Sequence, residues 1–218
     1  MTERSTASQP EQSDAGLPGE SVTVCRIGHR PGRDERTTTH VGLTARALGA
    51  DCLWLEPAAA GRRETVVDIT DRFGGPFEVS VVEDPVRRIR AFEGSIVHLT
   101  MYGEPIETVA DDIRSAHRDR PLLVVVGGGK VPREVYDRAD HNVAVTNQPH
   151  SEIAALAVFL DRLFEGDELT RSFENADRRV IPRAEGKRVV DVADRSAGET
   201  TGGDDATESS TTTGDHAG

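Results

Sequence analysis

Two polar loops, each of which follows a strand-like segment, contain the residues best suited to binding a ligand. The first is the glycine run at 127–129, which comes directly after the apolar run 122–126 and is followed by Lys130. Glycine allows a backbone to approach a ligand closely and to adopt positive φ. The second loop, residues 146–150, reads TNQPH and comes just before Ser151, which can cap a helix. The two loops together predict a small-molecule site, and a tight structural turn is the alternative for each.

The glycine run matches neither of the common phosphate-binding motifs. The Walker pattern G-x-x-x-x-G-K-[ST] is absent, because Val131 follows the lysine. The dinucleotide-binding pattern G-x-G-x-x-G is absent as well, which disfavours a nicotinamide-dependent oxidoreductase. No two histidines have the H-x-x-x-H spacing, and the two cysteines, Cys25 and Cys52, lie far apart in the sequence. We therefore predict no metal site.

The segment that follows the first strand-like stretch is basic, although the chain as a whole is acidic. Four arginines crowd into it, opposed only by Asp34 and Glu35: Arg26, Arg30, Arg33 and Arg36. The threonines at 37–39 can cap a helix over 40–48. Planar guanidinium groups match phosphate oxygens, and a helix N-terminus adds its dipole. We predict an anion site here, with surface ion pairs of low energetic value as the alternative.

The elements that must position these loops alternate along the chain. Apolar and β-branched runs predict strands over 21–27, 51–55, 77–82, 95–99, 122–126 and 142–145. Helical patterns lie over 40–48, 62–73, 87–92, 105–117, 133–139 and 152–164, and the TMYGEP segment at 100–105 is predicted as a loop. This alternation predicts a doubly wound α/β domain with a parallel sheet. Ligands bind such sheets at the carboxyl ends of the strands, where both loops should emerge.

Composition indicates the surroundings in which the protein works. The net charge is −12, and of the 26 basic residues only Lys130 and Lys187 are lysine, so 24 are arginine. Acid excess together with scarce lysine favours a salt-rich cytoplasm, because molar salt shortens the Debye length to about 3 Å and screens self-repulsion. An ordinary acidic cytoplasmic protein is the alternative.

The chain ends differ from its middle. Residues 1–20 and 196–218 have little to bury and are expected to be disordered. Between them we predict a domain at 21–166 and an extension at 167–195 that contains a short basic hairpin over 178–190. No apolar run approaches the ~20 residues of a membrane span, and no signal peptide is evident. We therefore predict a cytoplasmic protein with no membrane contact and with reduced cysteines.

Three long segments resemble one known family. RIGHRPGRDERTTTHVGLTARALGA, VVGGGKVPREVYDRADHNVAVTNQPHSEIAALAVFLDRL and VIPRAEGKRVV are similar to the archaeal tRNA (cytidine-56 2′-O)-methyltransferases, a family of the knotted SPOUT class. The resemblance covers residues 22–190, nearly all of the chain that can fold. In one departure, Gly-Gly-Gly stands before Lys-Val-Pro, where the family usually has Gly-Ala-Glu. A contact made by the backbone would survive that change, and a role of the glutamate carboxylate would not.

The resemblance implies properties that composition does not. It implies a trefoil knot over about 122–164, a homodimer, tRNA as the partner, and S-adenosyl-L-methionine as the cofactor. The implied cofactor contacts are Leu99, Gly127, Gly128, Gly129, Lys130, Val131, Val145, Thr146, Asn147, Gln148, Pro149, His150, Ser151 and Glu152.

For the reaction, a ribose 2′-hydroxyl must attack the methyl group after losing its proton. An arginine beside the hydroxyl and its 3′-phosphate could favour the alkoxide, and we assign this role to the cluster Arg30, Arg33 and Arg36, with Arg36 first because it borders a helix N-terminus. His40 and His150 are alternatives as general base, since histidine titrates near pH 6.5. Two other functions stay open. One is a related methyltransferase with another RNA target, and the other is a non-catalytic tRNA-binding scaffold that need not bind the cofactor.

Overall fold

The protein is described from a computed structural model that covers residues 21–192. The chain divides into two compact units, one up to Ala176 and one from Asp177. The tails that we expected to be disordered, 1–20 and 196–218, lie outside the described residues.

The first unit is built on a six-stranded sheet in which every neighbouring pair is parallel. Its strands are β1 (Val22–Ile27), β2 (Cys52–Leu55), β3 (Glu78–Val81), β4 (Ser95–Pro105), β5 (Leu122–Gly127) and β6 (His141–Ala144). Their order across the sheet is β3-β2-β1-β5-β4-β6. β1 and β5 are central and are buried along almost their whole length, which explains the continuous apolar run of β5 and the mostly apolar sequence of β1.

Among the described residues, five α-helices connect the six strands, and a sixth follows β6. They are α1 (Glu35–Ala47), α2 (Arg63–Phe73), α3 (Pro85–Arg90), α4 (Ile106–His117), α5 (Arg133–Arg138) and α6 (Glu152–Phe164). One core cluster joins α1, α2, α4 and α6 to one face of the sheet. A second cluster joins α3 and α5 to the other face. Helices on both faces of a parallel sheet confirm the predicted doubly wound α/β fold.

The strand order places a switch in connection direction beside β1. From β1 the chain moves outward through β2 to β3, and it then crosses to β4 on the other side. β5 returns into the gap between β1 and β4. The crevice at the carboxyl ends of β1 and β5 is therefore the place where open α/β sheets bind ligands.

Two predicted boundaries were wrong by five residues or more, and α3 begins and ends two residues earlier than predicted. α1 begins at Glu35 rather than at residue 40, so the threonines at 37–39 lie inside the helix and Asp34 stands at the N-cap. β4 continues through the segment predicted as the loop 100–105, because its register with β6 shifts between Leu99 and Glu104 and pairing then resumes. Both differences arise from tertiary contacts that local propensity does not contain.

The C-terminal segments belong to different units. Residues 167–176, which we had grouped with the extension, pack on the first unit, where the amide of Gly75 donates to the carbonyl of Glu174 at 2.9 Å. The second unit contains the predicted hairpin, in which β7 (Arg178–Val180) pairs antiparallel with β8 (Val189–Asp191). None of the helices in the described part of the chain is long and apolar enough to span a membrane.

Candidate active site

The carboxyl ends of β1 and β5 bring two loops into contact. We call residues 28–34 the arginine loop and residues 127–131 the glycine turn. Gly28 has φ +74°, and a Cβ atom there would lie 3.3 Å from the amide nitrogen of Gly129. The backbones of the two loops therefore touch at a point that only glycine suits.

Arg26 lies beneath this contact, at the end of β1. Its side chain is 1% exposed, and its Nε and Nη2 donate to Oε1 of Glu152 at 3.1 and 2.7 Å. Nη2 also lies 3.8 Å from Oδ2 of Asp34. One buried guanidinium thus joins the first residue of α6 to the N-cap of α1. We had counted Arg26 among the four arginines of the predicted anion site, whereas the structure buries it at the end of β1.

Arg30 is the arginine that the loop holds in place. Its Nε and Nη2 donate to the two carboxylate oxygens of Asp34 at 2.8 and 2.9 Å, and Nη2 donates to the carbonyl of Gly128 at 2.8 Å. The Arg30 guanidinium, which is the largest influence, lowers the pKa of Asp34 to about 2, and the carboxylate in turn raises the pKa of Arg30. Three of the five guanidinium N–H groups are used, and the two on Nη1 have no partner among residues 21–192.

Arg33 and Arg36 are placed differently. Both are exposed, and neither side chain has a partner among the described residues. Arg36 lies in the first turn of α1, as the second residue of the helix. Of the three candidate catalytic arginines, the structure joins only Arg30 to the glycine turn.

His29 fixes the start of the arginine loop. Its amide donates to the carboxylate of Glu56, and its Nδ1 lies 2.7 Å from Oγ1 of Thr38. Its Nε2 lies 3.6 Å from a carboxylate oxygen of Glu35. These contacts tie the loop to α1 and to the end of β2, so they define the conformation of the loop.

Two glycines of the glycine turn are required by packing. A Cβ atom on Gly127 would collide with the side chain of Val131, and one on Gly128 would collide with Nη2 of Arg26. Their identity therefore needs no ligand to explain it.

Gly129 is the glycine that packing does not explain. A Cβ atom there would meet only the carbonyl oxygen of Gly28, at an ordinary 3.7 Å. Gly129 and the neighbouring Lys130 are exposed. The tip of the turn thus presents accessible backbone at the sheet edge, which fits a ligand held by main-chain groups such as the cofactor that the resemblance implies.

The second loop, residues 145–151, lies at the end of β6. Residues 146–151 are exposed, and the side-chain amide of Asn147 donates to the carbonyls of Met101 and Gly103 at 2.7 and 3.1 Å. Asn147 therefore ties this loop to the bulged part of β4. Oγ of Ser151 accepts from the amide of Ala154 at 3.2 Å, which confirms the predicted cap of α6.

The remaining candidates have several environments. Leu99 is buried in the core below the sheet edge, while Val145 is half-buried. Glu152 contributes its carboxylate to Arg26. His40 is exposed, and Nδ1 of the exposed His150 lies 2.6 Å from the carbonyl of Gln148.

Sequence reasoning missed the role of two residues, Asp34 and Arg26. Arg26 interrupts an otherwise apolar strand, and a charge in a strand buried on both faces requires a buried partner. That signal could have identified Arg26, but not its partner, which lies 126 residues away. Among the described residues, no group of three or more His, Cys, Asp or Glu side chains could hold a metal ion.

The family model and the curated relatives that match this chain indicate the same family. The family model described as tRNA ribose 2′-O-methyltransferase, aTrm56, matches residues 73–190. A protein of Haloarcula marismortui named tRNA (cytidine(56)-2′-O)-methyltransferase is 68% identical over 170 residues, which are 78% of this chain and 94% of that protein. A protein of the same name from Pyrococcus abyssi is 51% identical over 174 residues, covering 78% of this chain and 88% of its own.

A solved structure supports the fold alone. A proposed RNA methyltransferase from Bacillus anthracis aligns with TM-score 0.50 and 16% identity, covering 72% of this chain and 98% of that one. Because the family match spans more than half of the sequence and the relatives align over most of their length, the chain belongs to the tRNA ribose 2′-O-methyltransferase family aTrm56.

Proposed function

We propose that the protein transfers a methyl group from S-adenosylmethionine to the ribose 2′-hydroxyl of cytidine 56 in tRNA. The observation that carries this is the close likeness to relatives of that name, which are 50% to 68% identical. The glycine turn lies within residues 73–190, which the family model matches, and it contacts the arginine loop at the sheet edge. They supply a place for a cofactor beside a group that can bind phosphate.

The residues of the glycine turn and of the 145–151 loop would hold the cofactor. Gly129, Lys130 and residues 146–150 are exposed and offer main-chain donors and acceptors at the strand ends. When bound, S-adenosylmethionine supplies an electrophilic methyl group on a sulfonium centre. We propose seven further residues as cofactor contacts: Gly127, Gly128, Val131, Val145, Ser151, Glu152 and Leu99. Of these, Glu152 would act indirectly, through its ion pair with Arg26.

Arg30 would act on the ribose. Its two unpartnered N–H groups can donate to the 3′-phosphate and to the 2′-oxygen. A fixed positive charge at that point favours loss of the hydroxyl proton and stabilises the charge that develops during attack. Arg33 and Arg36, which are exposed at the N-terminal end of α1, would bind phosphates of the tRNA backbone. His40 and His150 stay alternatives as proton acceptor.

An acidic protein can bind tRNA because local charge differs from net charge. The arginine loop is a positive surface on a chain with net charge −12. In concentrated salt, counterion release contributes less to affinity, so the shape of the RNA and base contacts must contribute more. We expect transfer to persist in molar potassium chloride, in a cytoplasm of that composition.

We also propose a homodimer and a knotted C-terminal half. Val158 is 42% exposed on α6, one turn after the exposed Ala154, which is an apolar helix face suited to a second copy of the chain. For the knot, the supporting fact is that β5 and β6 flank β4 although β4 precedes both. A crystal structure in which the backbone trace over 122–164 is unknotted would contradict this proposal.

The decisive experiment is methyl transfer from radiolabelled S-adenosylmethionine to unmodified archaeal tRNA transcripts in molar potassium chloride. One transcript has the normal ribose at cytidine 56, and the other has a 2′-deoxy ribose there. Label in the first alone is the expected result. Label in both would move the target to another nucleotide, and absence of cofactor binding would favour the tRNA-binding scaffold.

A further inference from the structure

The arginine loop contains a buried acid that the proposed chemistry does not use. Asp34 is 5% exposed, although Arg33 before it and Arg36 after it are exposed. Its Oδ2 accepts from the backbone amide and the Nε of Arg30 at 3.0 and 2.8 Å, and its Oδ1 accepts from Nη2 at 2.9 Å. A single carboxylate thus fixes both the main chain and the guanidinium of one residue.

This carboxylate is itself held from inside the domain. Nη2 of the fully buried Arg26 lies 3.8 Å from Oδ2 of Asp34, while the same guanidinium binds Glu152 at the start of α6. Arg26 also packs against the glycine turn, because its Nη2 occupies the space that a Cβ atom on Gly128 would need. Asp34 therefore lies between two arginines: the buried Arg26 on the side of the core and Arg30 on the side of the solvent.

These contacts form a continuous series of ion pairs and hydrogen bonds, which ends at the glycine turn on the cofactor side of the site. It runs from Glu152 through Arg26, Asp34 and Arg30 to the carbonyl of Gly128. Each step has a defined partner, and the last guanidinium keeps only Nη1 available to a ligand. Arg33 and Arg36 have no such support among the described residues.

We propose that Asp34 is a positioning residue for methyl transfer, which fixes the Arg30 guanidinium against the glycine turn with Arg26 as its buried support. The inference rests on the proposed function, and it goes further by stating which arginine is held for the reaction and by what. Asp34 touches neither the substrate nor the reacting atoms in this proposal. It acts through Arg30.

Charge alone predicts the opposite effect from positioning, which makes the proposal testable. Replacing Asp34 with asparagine removes a negative charge beside a basic loop, so tRNA should bind equally well or more tightly. If Asp34 only weakened the local positive potential, the variant would also transfer methyl at least as fast as the wild type. If Asp34 positions Arg30, transfer slows although binding does not weaken.

The experiment compares Asp34→Asn with Asp68→Asn, which makes the same change in an exposed Arg72–Asp68 ion pair on α2. Single-turnover methyl transfer, the Kd for tRNA and the Kd for S-adenosylmethionine are measured in molar potassium chloride. We expect Asp34→Asn to slow transfer at least about tenfold, as for loss of one preorganised electrostatic group, with both Kd values within about threefold of the wild type. Asp68→Asn should match the wild type in all three.

A double-mutant cycle with Arg30→Ala shows whether the effect passes through Arg30. Asp34→Asn should slow the Arg30→Ala enzyme less than about twofold, because the group that it positions is already gone. The proposal is overturned if Asp34→Asn leaves the rate unchanged, or slows the Arg30→Ala enzyme as much as the wild type. It is also overturned if the Kd for the cofactor weakens in parallel with the rate, because that marks a collapsed glycine turn.

A spectroscopic signal tests the same contact without any turnover. The Nε–Hε resonance of Arg30 in a ¹H–¹⁵N spectrum should be protected from exchange in the wild type and in Asp68→Asn, and should lose protection in Asp34→Asn. An unaffected resonance would overturn the proposal. Failure of the wild type to methylate tRNA would instead contradict the proposed function, while this resonance would still decide whether Asp34 holds the Arg30 guanidinium.

Discussion

The three candidate arginines differ in what holds their side chains. Arg30 has three of its N–H groups engaged by Asp34 and Gly128, whereas Arg33 and Arg36 are exposed and have no partner in the described part of the chain. A fixed donor suits stabilisation of a developing charge, because no reorganisation is needed when the reaction occurs. A mobile donor suits binding of the RNA backbone.

Alanine substitutions should therefore separate two effects. Arg30→Ala should lower the single-turnover rate at saturating tRNA at least about tenfold, with folding intact. Arg36→Ala should lower transfer at least about tenfold at low tRNA, and recover at saturating tRNA because it acts on affinity. Rates and tRNA affinities are measured against Arg72→Ala, a change in an exposed ion pair on α2. Normal turnover in both the Arg30→Ala and the Arg36→Ala variants would exclude these two arginines from the mechanism.

The lowered pKa of Asp34 predicts how stability depends on pH. The folded pKa, about 2, is below the ordinary value of 3.8, so the ionised form favours the folded state. This contribution should be complete above about pH 4 and should be lost as the pH falls toward about 2. Urea unfolding of the wild type and Asp34→Asn should therefore show a difference in unfolding free energy that shrinks as the pH falls from about 4 toward about 2. A difference independent of pH would contradict the assigned shift.

Among the elements of the site, the glycine turn contains two consecutive glycines whose packing differs. Gly128 must leave room for the buried Arg26, whereas Gly129 has open space around it. The family resemblance places alanine and glutamate at these two positions. The structure thus explains one departure from the family pattern by packing and leaves the other sterically free.

Replacing each glycine with alanine provides a matched test. Gly128→Ala should destabilise the protein by about 1–3 kcal/mol, because the new methyl group displaces an ion-paired guanidinium. Gly129→Ala should change the unfolding free energy by less than about 0.5 kcal/mol. Thermal and urea unfolding measure both. Equal stability of the two variants would show that Arg26 can move aside without cost.

For the whole molecule, α6 contributes one face to the core and exposes an apolar residue on the other. Its buried residues, such as Leu156 and Phe159, belong to the main core, while Val158 faces outward. An exposed valine within 153–160, a stretch of α6 made only of apolar residues, favours a contact with another molecule. We have assigned that contact to a second copy of the chain.

Val158→Asp should convert the dimer to a monomer, because the dimer would bury an unpaired carboxylate. Light scattering after gel filtration should give twice the chain mass of 23.6 kDa for the wild type and the single mass for the variant. Leu169→Asp is the control, since Leu169 is also exposed but lies outside α6. A wild type that is monomeric, or a dimer that survives Val158→Asp, would contradict this interface.

Local sequence patterns were sufficient to predict the order of strands and helices, the bounds of α6 and its Ser151 cap, and the hairpin near the C-terminus. These features could be predicted because hydrophobic periodicity and helix-capping residues depend on interactions between residues a few positions apart. The motifs of the two loops also sufficed to indicate the family, because they are long and specific.

Only the tertiary structure decided which charged groups meet. Glu152 reaches Arg26 across 126 residues, and Arg30 reaches Gly128 across 98. The early start of α1 and the continuation of β4 likewise depend on partners from other segments. Ion pairs and strand register are set by distance in space, which local sequence does not encode. For that reason the sequence could name three candidate arginines, while the fold alone fixed one of them beside the glycine turn.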